Sequence, residues 1–363
     1  MKVIILCANY EPGGAQRAAI RLLNEMNVKG LVCQCWFMHK KSTDFTESPP
    51  IMMHNSKIAS PLDVVRICTR LYRKFRVEKP DAVISFLPYA NILGLFVAMA
   101  CGIKIRVSSH RNLSDKELSL PLKTLDYLWA ILGIYTAITA VSKSTKNSFN
   151  YYGKRIFDKI RVINNGISFY PSALSKSECR KILQIPDAAF IIGNIGRIVQ
   201  QKNHKLLIDI LPKLGDTLLV IVGKGELRGQ LENTAKELGV LNQVFIIEEL
   251  STESIPHFLK AIDVFVMPSH FEGMSNALAE ALYAGLPIVS SDVESQRDVL
   301  IREIDGLRSG VLVSNKEPKK WIDEILAIRD NDTLRKELSE RALNRSKDFT
   351  VGHMADGFIA TLT

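Results

Sequence analysis

Short runs of β-branched and apolar residues alternate along the chain with longer segments whose apolar positions recur every three to four residues. That alternation predicts strand–helix units with parallel pairing, because a parallel strand needs a crossover of helix length to rejoin its sheet. In the first half, the predicted strands are 2–7, 33–38, 82–86, 105–109 and 137–141. A second series follows at 190–195, 218–222, 244–247, 264–267, 288–290 and 310–313. Between the two lie the turn signal Asn164-Asn165-Gly166, a polar stretch with Pro171, and a lone helical pattern over 175–183. The series restarts without a sequence repeat, which predicts an α/β chain of two similar domains, 1–165 and 166–345. Residues 346–363 are expected to return as a helix to the first domain.

Length and composition fit that division: 363 residues with 47% hydrophobic and 23% charged content make globular material for about two domains. Six cysteines show no paired metal spacing and sit mostly in apolar stretches, which points to a reducing, cytoplasmic compartment. The opening segment has one lysine before a short apolar run that leads to Pro12 and two glycines, the pattern of a first strand rather than of a signal peptide. The longest apolar region, 125–141, is interrupted by Asp126 and Gly133 and falls short of the roughly 18 apolar residues of a spanning helix. A net charge of +9 suits a polyanionic partner, whether nucleic acid, acidic lipid or a diphosphate.

Three segments carry candidate chemistry. Gly13 and Gly14 open a helix after the first strand, where a bare backbone and the helix dipole favour an anion; a tight strand-to-helix turn explains the pair equally well. The G-x-G-x-x-G dinucleotide spacing is absent. Arg197 and Lys202 follow the strand 190–195, at the sheet edge where open α/β folds bind ligands, and together suit a diphosphate. Gly223-Lys224-Gly225 stands similarly but is predicted as a plain turn. The strongest element runs from Pro268 to Pro287: Glu272 and Gly273 lie in a loop, Ser275 caps a helix, Glu280 sits little more than a turn inside it, and Gly285 closes it. Carboxylates suit sugar hydroxyls, while the backbone of Gly273, Met274 and Ser275 with the two cations suits phosphate.

The spacing Glu272-x7-Glu280, with Phe271 before and Gly273 after the first glutamate, resembles the signature of the retaining glycosyltransferase family 4, of the GT-B fold. Gly13-Gly14-Ala15-Gln16-Arg17, Val141-Ser142-Lys143, Asn165-Gly166 and the Arg197/Lys202 pair agree with that family in order, so the likeness covers nearly the whole chain. The resemblance implies two Rossmann-like domains facing each other across a cleft, the first on the acceptor side and the second holding the nucleotide sugar. It implies transfer of a hexosyl group from a nucleoside-diphosphate donor, a UDP-sugar before a GDP-sugar, to a glycan or polyprenyl-diphosphate-linked glycan. Glu272, His110 and Asn276 would then meet the donor sugar, Glu280 the ribose, and Gly13, Gly14, Arg197 and Lys202 the phosphates. Catalysis would rest on Glu272, His110, Arg197 and Lys202. No metal or other cofactor is expected, since no Asp-x-Asp pair presents itself and the nucleotide sugar is a co-substrate. Glu248-Glu249 departs from the family, which usually has a glycine-rich turn after this strand.

The segment 64–79 places Val64, Ile67, Leu71 and Phe75 at helical spacing with Arg66, Arg70, Arg73, Lys74 and Arg76 around them. Two readings stand: a helix packed on the first sheet with a solvated basic face, or a face that meets anionic lipid, or the diphosphate of a polyprenyl-linked acceptor, at the cytoplasmic side of an inner membrane. Two other functions compete with glycosyl transfer. A nucleotide-sugar epimerase could use the same fold. A nucleic-acid-binding protein could use the charge, although no aromatic-studded basic strand or recognition helix supports it.

Overall fold

The computed structural model describes residues 1–11, 13–41, 51–187 and 190–363. They form two compact units, one of Met1–Ser168 with Phe349–Thr363 and one of Phe169–Asp348.

The first unit is built on a parallel sheet of β1 (Lys2–Tyr10), β2 (Val32–Lys40), β3 (Ile51–Met52), β4 (Ala82–Phe86), β5 (Ile105–His110), β6 (Ala137–Ala140) and β7 (Arg161–Val162), in the order β3-β2-β1-β4-β5-β6-β7. Its central strands read as unbroken apolar runs because helices cover both faces. Alternation still sorts them. Ile4, Leu6, Trp36 and Val83 meet Ile67, Leu71 and Phe75 of helix α2 (Pro61–Glu78) on one face. Val3, Ile5, Cys7 and Ile84 meet Leu22 and Met26 of α1 (Gly14–Val28) on the other. Also in that second core are Met354, Ala355 and Phe358, from the helix Val351–Ile359. Gly166 makes this return close: a Cβ there would stand 2.4 Å from Val351 Cα, so any side chain would displace backbone. The helix α3 (Leu120–Ile131) packs on the α2 side.

The second unit is again all parallel: β8 (Phe190–Ile195), β9 (Thr217–Val222), β10 (Val244–Ile247), β11 (Val264–Met267), β12 (Ile288–Ser291) and β13 (Val311–Val313), in the order β10-β9-β8-β11-β12-β13. In each sheet the order reverses beside the first strand, between β1 and β4 and between β8 and β11. Loops leaving two such strands diverge to opposite faces, and a crevice opens at their carboxyl ends.

The structure departs from the sequence reading at the edges. β1 runs on to Tyr10 and β2 from Val32 to Lys40, because Asn9, Tyr10, His39 and Lys40 stay paired in the ladder. The edge strands β3 and β7, two residues each, have no counterpart among the predicted strands. The run at 137–141 stops at Ala140, since Ser142 already caps the next helix by accepting the Thr145 N–H at 3.0 Å.

Candidate active site

At the reversal point of the second sheet, two loops meet. After β8 the chain passes Gly196 and Arg197 into the turn Gln200–Lys202; after β11 it passes Pro268 and Glu272 to Ser275 and the helix α4 (Asn276–Tyr283). Lys202 Nζ donates to Glu272 Oε1 at 2.6 Å, with both side chains largely buried. Gln201 Nε2 donates to Phe271 O at 2.9 Å and to Glu272 Oε2 at 3.3 Å, and His270 N donates to Gln201 O at 2.8 Å. The cation assigned by spacing to phosphate and the carboxylate assigned to sugar are therefore a single ion pair. Arg197 is exposed and has no side-chain partner among the described residues.

The Arg197 loop is held by backbone. Ile198 N donates to Lys224 O at 2.8 Å, and a Cβ on Gly223 or Gly225 would lie 2.0 Å from Gly196 O or 2.1 Å from Ile198 O. Gly223-Lys224-Gly225 is thus a turn whose glycines admit the neighbouring loop. Below it, His204 Nε2 bonds Asn194 Oδ1 at 2.8 Å while the buried Nδ1 meets no partner. Burial away from any acceptor for a second proton drops the His204 pKa to about 4. Glu248 and Glu249 pair with Arg228 and Lys224, the latter at 2.6 Å.

Ser275 Oγ accepts the Leu278 N–H at 3.3 Å, which caps α4. The helix ends with Gly285 at φ 65°, Leu286 N donating to Ala281 O at 3.1 Å and Gly285 N to Leu282 O at 3.0 Å, the double closure that favours glycine at this place. Gly273 and Met274 are buried at the amino end of α4, Asn276 is its first residue, and Glu280 is half-buried in its fifth position.

In the first unit Gly13 caps α1, and Gln16 folds back over it: a Cβ on Gly13 would lie 2.4 Å from Gln16 Oε1. Gln16 Nε2 donates to Asn9 Oδ1 at 2.7 Å, which ties the glycine turn to the end of β1. Gly14 is the first residue of α1. Pro12 lies outside the described residues. At the end of β4, Leu87 is held at φ 76°, a conformation that a bulky side chain adopts only under constraint.

His110 ends β5 fully buried, stacked on Phe149 at 3.9 Å between centroids. Its Nε2 lies 3.1 Å from Tyr152 Oη, and Tyr152 donates its one proton to Asp126 Oδ2. With its proton given to Asp126, the phenol oxygen accepts from His110, whose proton then sits on Nε2 and leaves a lone pair on Nδ1. Burial lowers the His110 pKa, against the opposing pull of Asp126, and keeps the ring neutral at pH 7. Asp126, itself buried, also accepts from Tyr135 at 2.9 Å and Tyr151 at 3.4 Å. Next in the chain, Arg111 lies over the Phe86 ring at 4.6 Å and donates to Asn165 Oδ1; burial brings its pKa down to about 10, so it stays charged.

Asp126, Tyr152 and Gln201 were beyond sequence reasoning. The signal for Asp126 was present as the one acid inside the apolar region 125–141; what it bonds depends on tyrosines that the fold brings to it. Each predicted site residue lies at a carboxyl strand end or in the turn or helix that follows. The structure pairs Glu272 with Lys202 and sets Gly273 to Asn276 directly beyond them.

Residues 12–169 match the family model described as Glycosyltransferase Family 4, and residues 175–345 match Glycosyl transferases group 1. The chain is 27% identical over 280 residues to the Escherichia coli UDP-Gal:alpha-D-GlcNAc-diphosphoundecaprenol alpha-1,3-galactosyltransferase, covering 73% of this chain and 70% of that one. It is 24% identical over 370 residues to a Campylobacter jejuni alpha-1,4-N-acetyl-D-galactosaminyltransferase acting on a diphosphoundecaprenol-linked glycan, covering 99% and 97%. Among solved structures, Anabaena HepE in complex with UDP and glucose superposes with a TM-score of 0.84 at 18% identity, over 100% of this chain and 99% of that one. Two family models that together span both units, with relatives matched along nearly the whole length, place the chain among the family 4 glycosyltransferases of GT-B fold.

Proposed function

We propose that the enzyme moves a hexosyl group from a UDP-sugar to a polyprenyl-diphosphate-linked glycan in cell-envelope polysaccharide synthesis, with retention at the anomeric carbon. The observation that carries this reading is the Lys202–Glu272 pair at the reversal point of the second sheet, with Arg197 and the amino end of α4 beside it. A nucleotide sugar presents a diphosphate next to a neutral ring. Arg197, Lys202 and the N–H groups that begin α4 suit the first, and Glu272 suits the second. As the glycosidic bond breaks, charge grows on the leaving phosphate, where fixed cations and dipoles need no reorganisation. The sugar becomes cationic, and the Glu272 carboxylate stabilises it.

Glu280 is assigned to the ribose, Gly13 and Gly14 to the diphosphate, and His110 and Asn276 to the donor sugar. Retention is read as a reaction on one face of the ring, in which the leaving phosphate accepts the proton of the incoming hydroxyl. The cations meet the leaving-group charge that a divalent ion would otherwise neutralise, so no metal is assigned a role. UDP is favoured as the nucleotide because the Escherichia coli relative is named for UDP-Gal and HepE was solved with UDP. The acceptor is taken from the relatives named for diphosphoundecaprenol-linked substrates. Calorimetric titration with UDP and GDP, followed by release of UDP from UDP-hexoses with and without a lipid-diphosphate glycan, tests the reading. Acceptor-dependent release of UDP is the expected result. Tight binding of neither nucleotide, or conversion of the sugar without release of nucleotide, would overturn it and favour an epimerase.

A further inference from the structure

Asp126 is a buried acid of the first unit that the transfer chemistry above does not use. It lies on α3, whose Leu122, Leu125 and Trp129 pack on the core of the α2 side, and it is 1% exposed. Three tyrosines from further along the chain converge on its carboxyl group. Tyr135 donates to Oδ1 at 2.9 Å, Tyr151 to Oδ2 at 3.4 Å, and Tyr152 to Oδ2 as well. Apolar residues of similar volume commonly fill such a place as well or better, so packing alone gives no reason for an acid here.

Tyr152 links this cluster to His110. Its Oη lies 3.1 Å from His110 Nε2 and gives its proton to Asp126, so the phenol oxygen is left to accept from the ring. Burial first, and then Asp126, raise the Tyr152 pKa well above that of a free phenol, so the hydroxyl keeps its proton. The ring is already held in other respects. Its backbone pairs with β6, with Val141 N donating to His110 O at 3.0 Å, and Phe149 stacks on its face with centroids 3.9 Å apart. Which ring nitrogen carries the proton is then decided by Tyr152, and behind it by Asp126. His110 Nδ1 meets no hydrogen-bond partner among the described residues, at the carboxyl end of β5 where open α/β sheets receive ligands.

We propose that Asp126 is a positioning residue for the transfer reaction: acting through Tyr152, it holds the His110 proton on Nε2, so that Nδ1 presents a lone pair to a hydroxyl of the donor sugar. This rests on the donor-sugar role assigned to His110 above and adds its polarity. In this tautomer the imidazole accepts at Nδ1. In the other it would donate there, and the sugar hydroxyl would have to rotate and give its own proton to another group. Without the Asp126 carboxyl group the Tyr152 proton turns to His110 Nε2, and the direction of the bonds reverses. Without the phenol oxygen, as in Y152F, neither tautomer is selected.

Two-bond nitrogen–proton spectra of the full chain carrying isotope-labelled histidine read the tautomer without any substrate, and His110→Gln identifies the resonance. The wild type should show the Nε2–H form, D126A the Nδ1–H form, and the milder Y152F a mixture. Melting curves confirm the folds, and Y152F carries both readouts if D126A does not fold. Each variant should lose about tenfold to a hundredfold in kcat for UDP release from a UDP-hexose, as loss of an outer partner to an oriented histidine does, while affinity for UDP alone stays within about threefold. D126A/Y152F should be no slower than the slower single variant, because both changes act on one ring. A wild type in the Nδ1–H form, a tautomer indifferent to D126A, an unchanged kcat in a folded variant, or losses that multiply in the double variant would each overturn the proposal. Absence of UDP release from a wild type that holds the expected tautomer would instead refute the transfer reaction on which the role rests.

Discussion

Replacing Glu272 by glutamine tests the ion pair and the reaction in one experiment. The charges of Lys202 and Glu272 stand 2.6 Å apart with little solvent contact, and at an effective dielectric of about 20 their gross attraction is about 6 kcal/mol. Desolvation takes much of that back, and about 3 to 5 kcal/mol is at stake when one partner of a buried pair is lost. The amide oxygen of glutamine still accepts from Lys202, so the lower value applies. For a unit of this size that is a fall of about 10 °C in melting temperature. Neutralising both residues should restore part of it, because no unpaired charge then remains buried. Turnover follows a different logic. If the carboxylate supports the sugar cation, its loss should cost about a hundredfold or more in kcat, equivalent to about 2.7 kcal/mol of barrier. Initial rates of UDP release, measured well below the variant's melting temperature, separate the two effects. A variant that melts lower but turns over normally would make the pair structural only. One that melts like the wild type would contradict the buried pair itself.

The remaining predictions address phosphate binding, protonation and stereochemistry. Arg197→Ala should weaken UDP binding by about tenfold to a hundredfold in calorimetry, through loss of a charged hydrogen bond worth about 1.5 to 3 kcal/mol, with no change in melting because Arg197 is exposed; unchanged affinity would remove it from the phosphate site. His204 has a folded pKa of about 4 against 6.5 for a free histidine, so it is neutral in both states near pH 7. As the pH falls from 6.5 to 4 the unfolded state takes the proton first, and stability should drop by about 3 kcal/mol. Urea titrations of the wild type and His204→Gln check this, since the variant should lack that part of the decline. A donor with an α-linked nucleotide should give an α-linked product by nuclear magnetic resonance, in reactions that continue in the presence of a chelator; a β-linked product, or activity restored only by a divalent ion, would reject the proposed mechanism.

The parts of the fold legible in the sequence are those fixed by local pattern. Central strands such as β4 and β8 are runs of apolar residues long enough to show, and the end of α4 follows from Gly285 and Pro287. β3 and β7 are too short for any periodicity, and β7 is exposed on both residues, so pairing to a neighbour alone defines them. The candidate site divides in the same way. Glu272, Ser275 and Glu280 stand within one short segment whose spacing carries information, and they were readable. The bond from Lys202 to Glu272 spans 70 positions and arises because β8 and β11 are neighbours in the sheet. The tautomer of His110 was equally hidden, since it follows from a proton that Tyr152 gives to Asp126.

The return of residues 349–363 to the first unit has a bearing on how the protein is made. Met354, Ala355 and Phe358 complete a core whose other walls come from β1, β4 and α1, at the opposite end of the chain. During synthesis the second unit, continuous from Phe169 to Asp348, has all its own sequence before the first has its last helix. The unit translated first is thus the one that finishes later, and until then the apolar side of α1 waits with an open seam. A ribosome-arrested chain ending just after Asp348 should carry a protease-resistant second unit joined to a protease-sensitive first, and extension by the final helix should protect both.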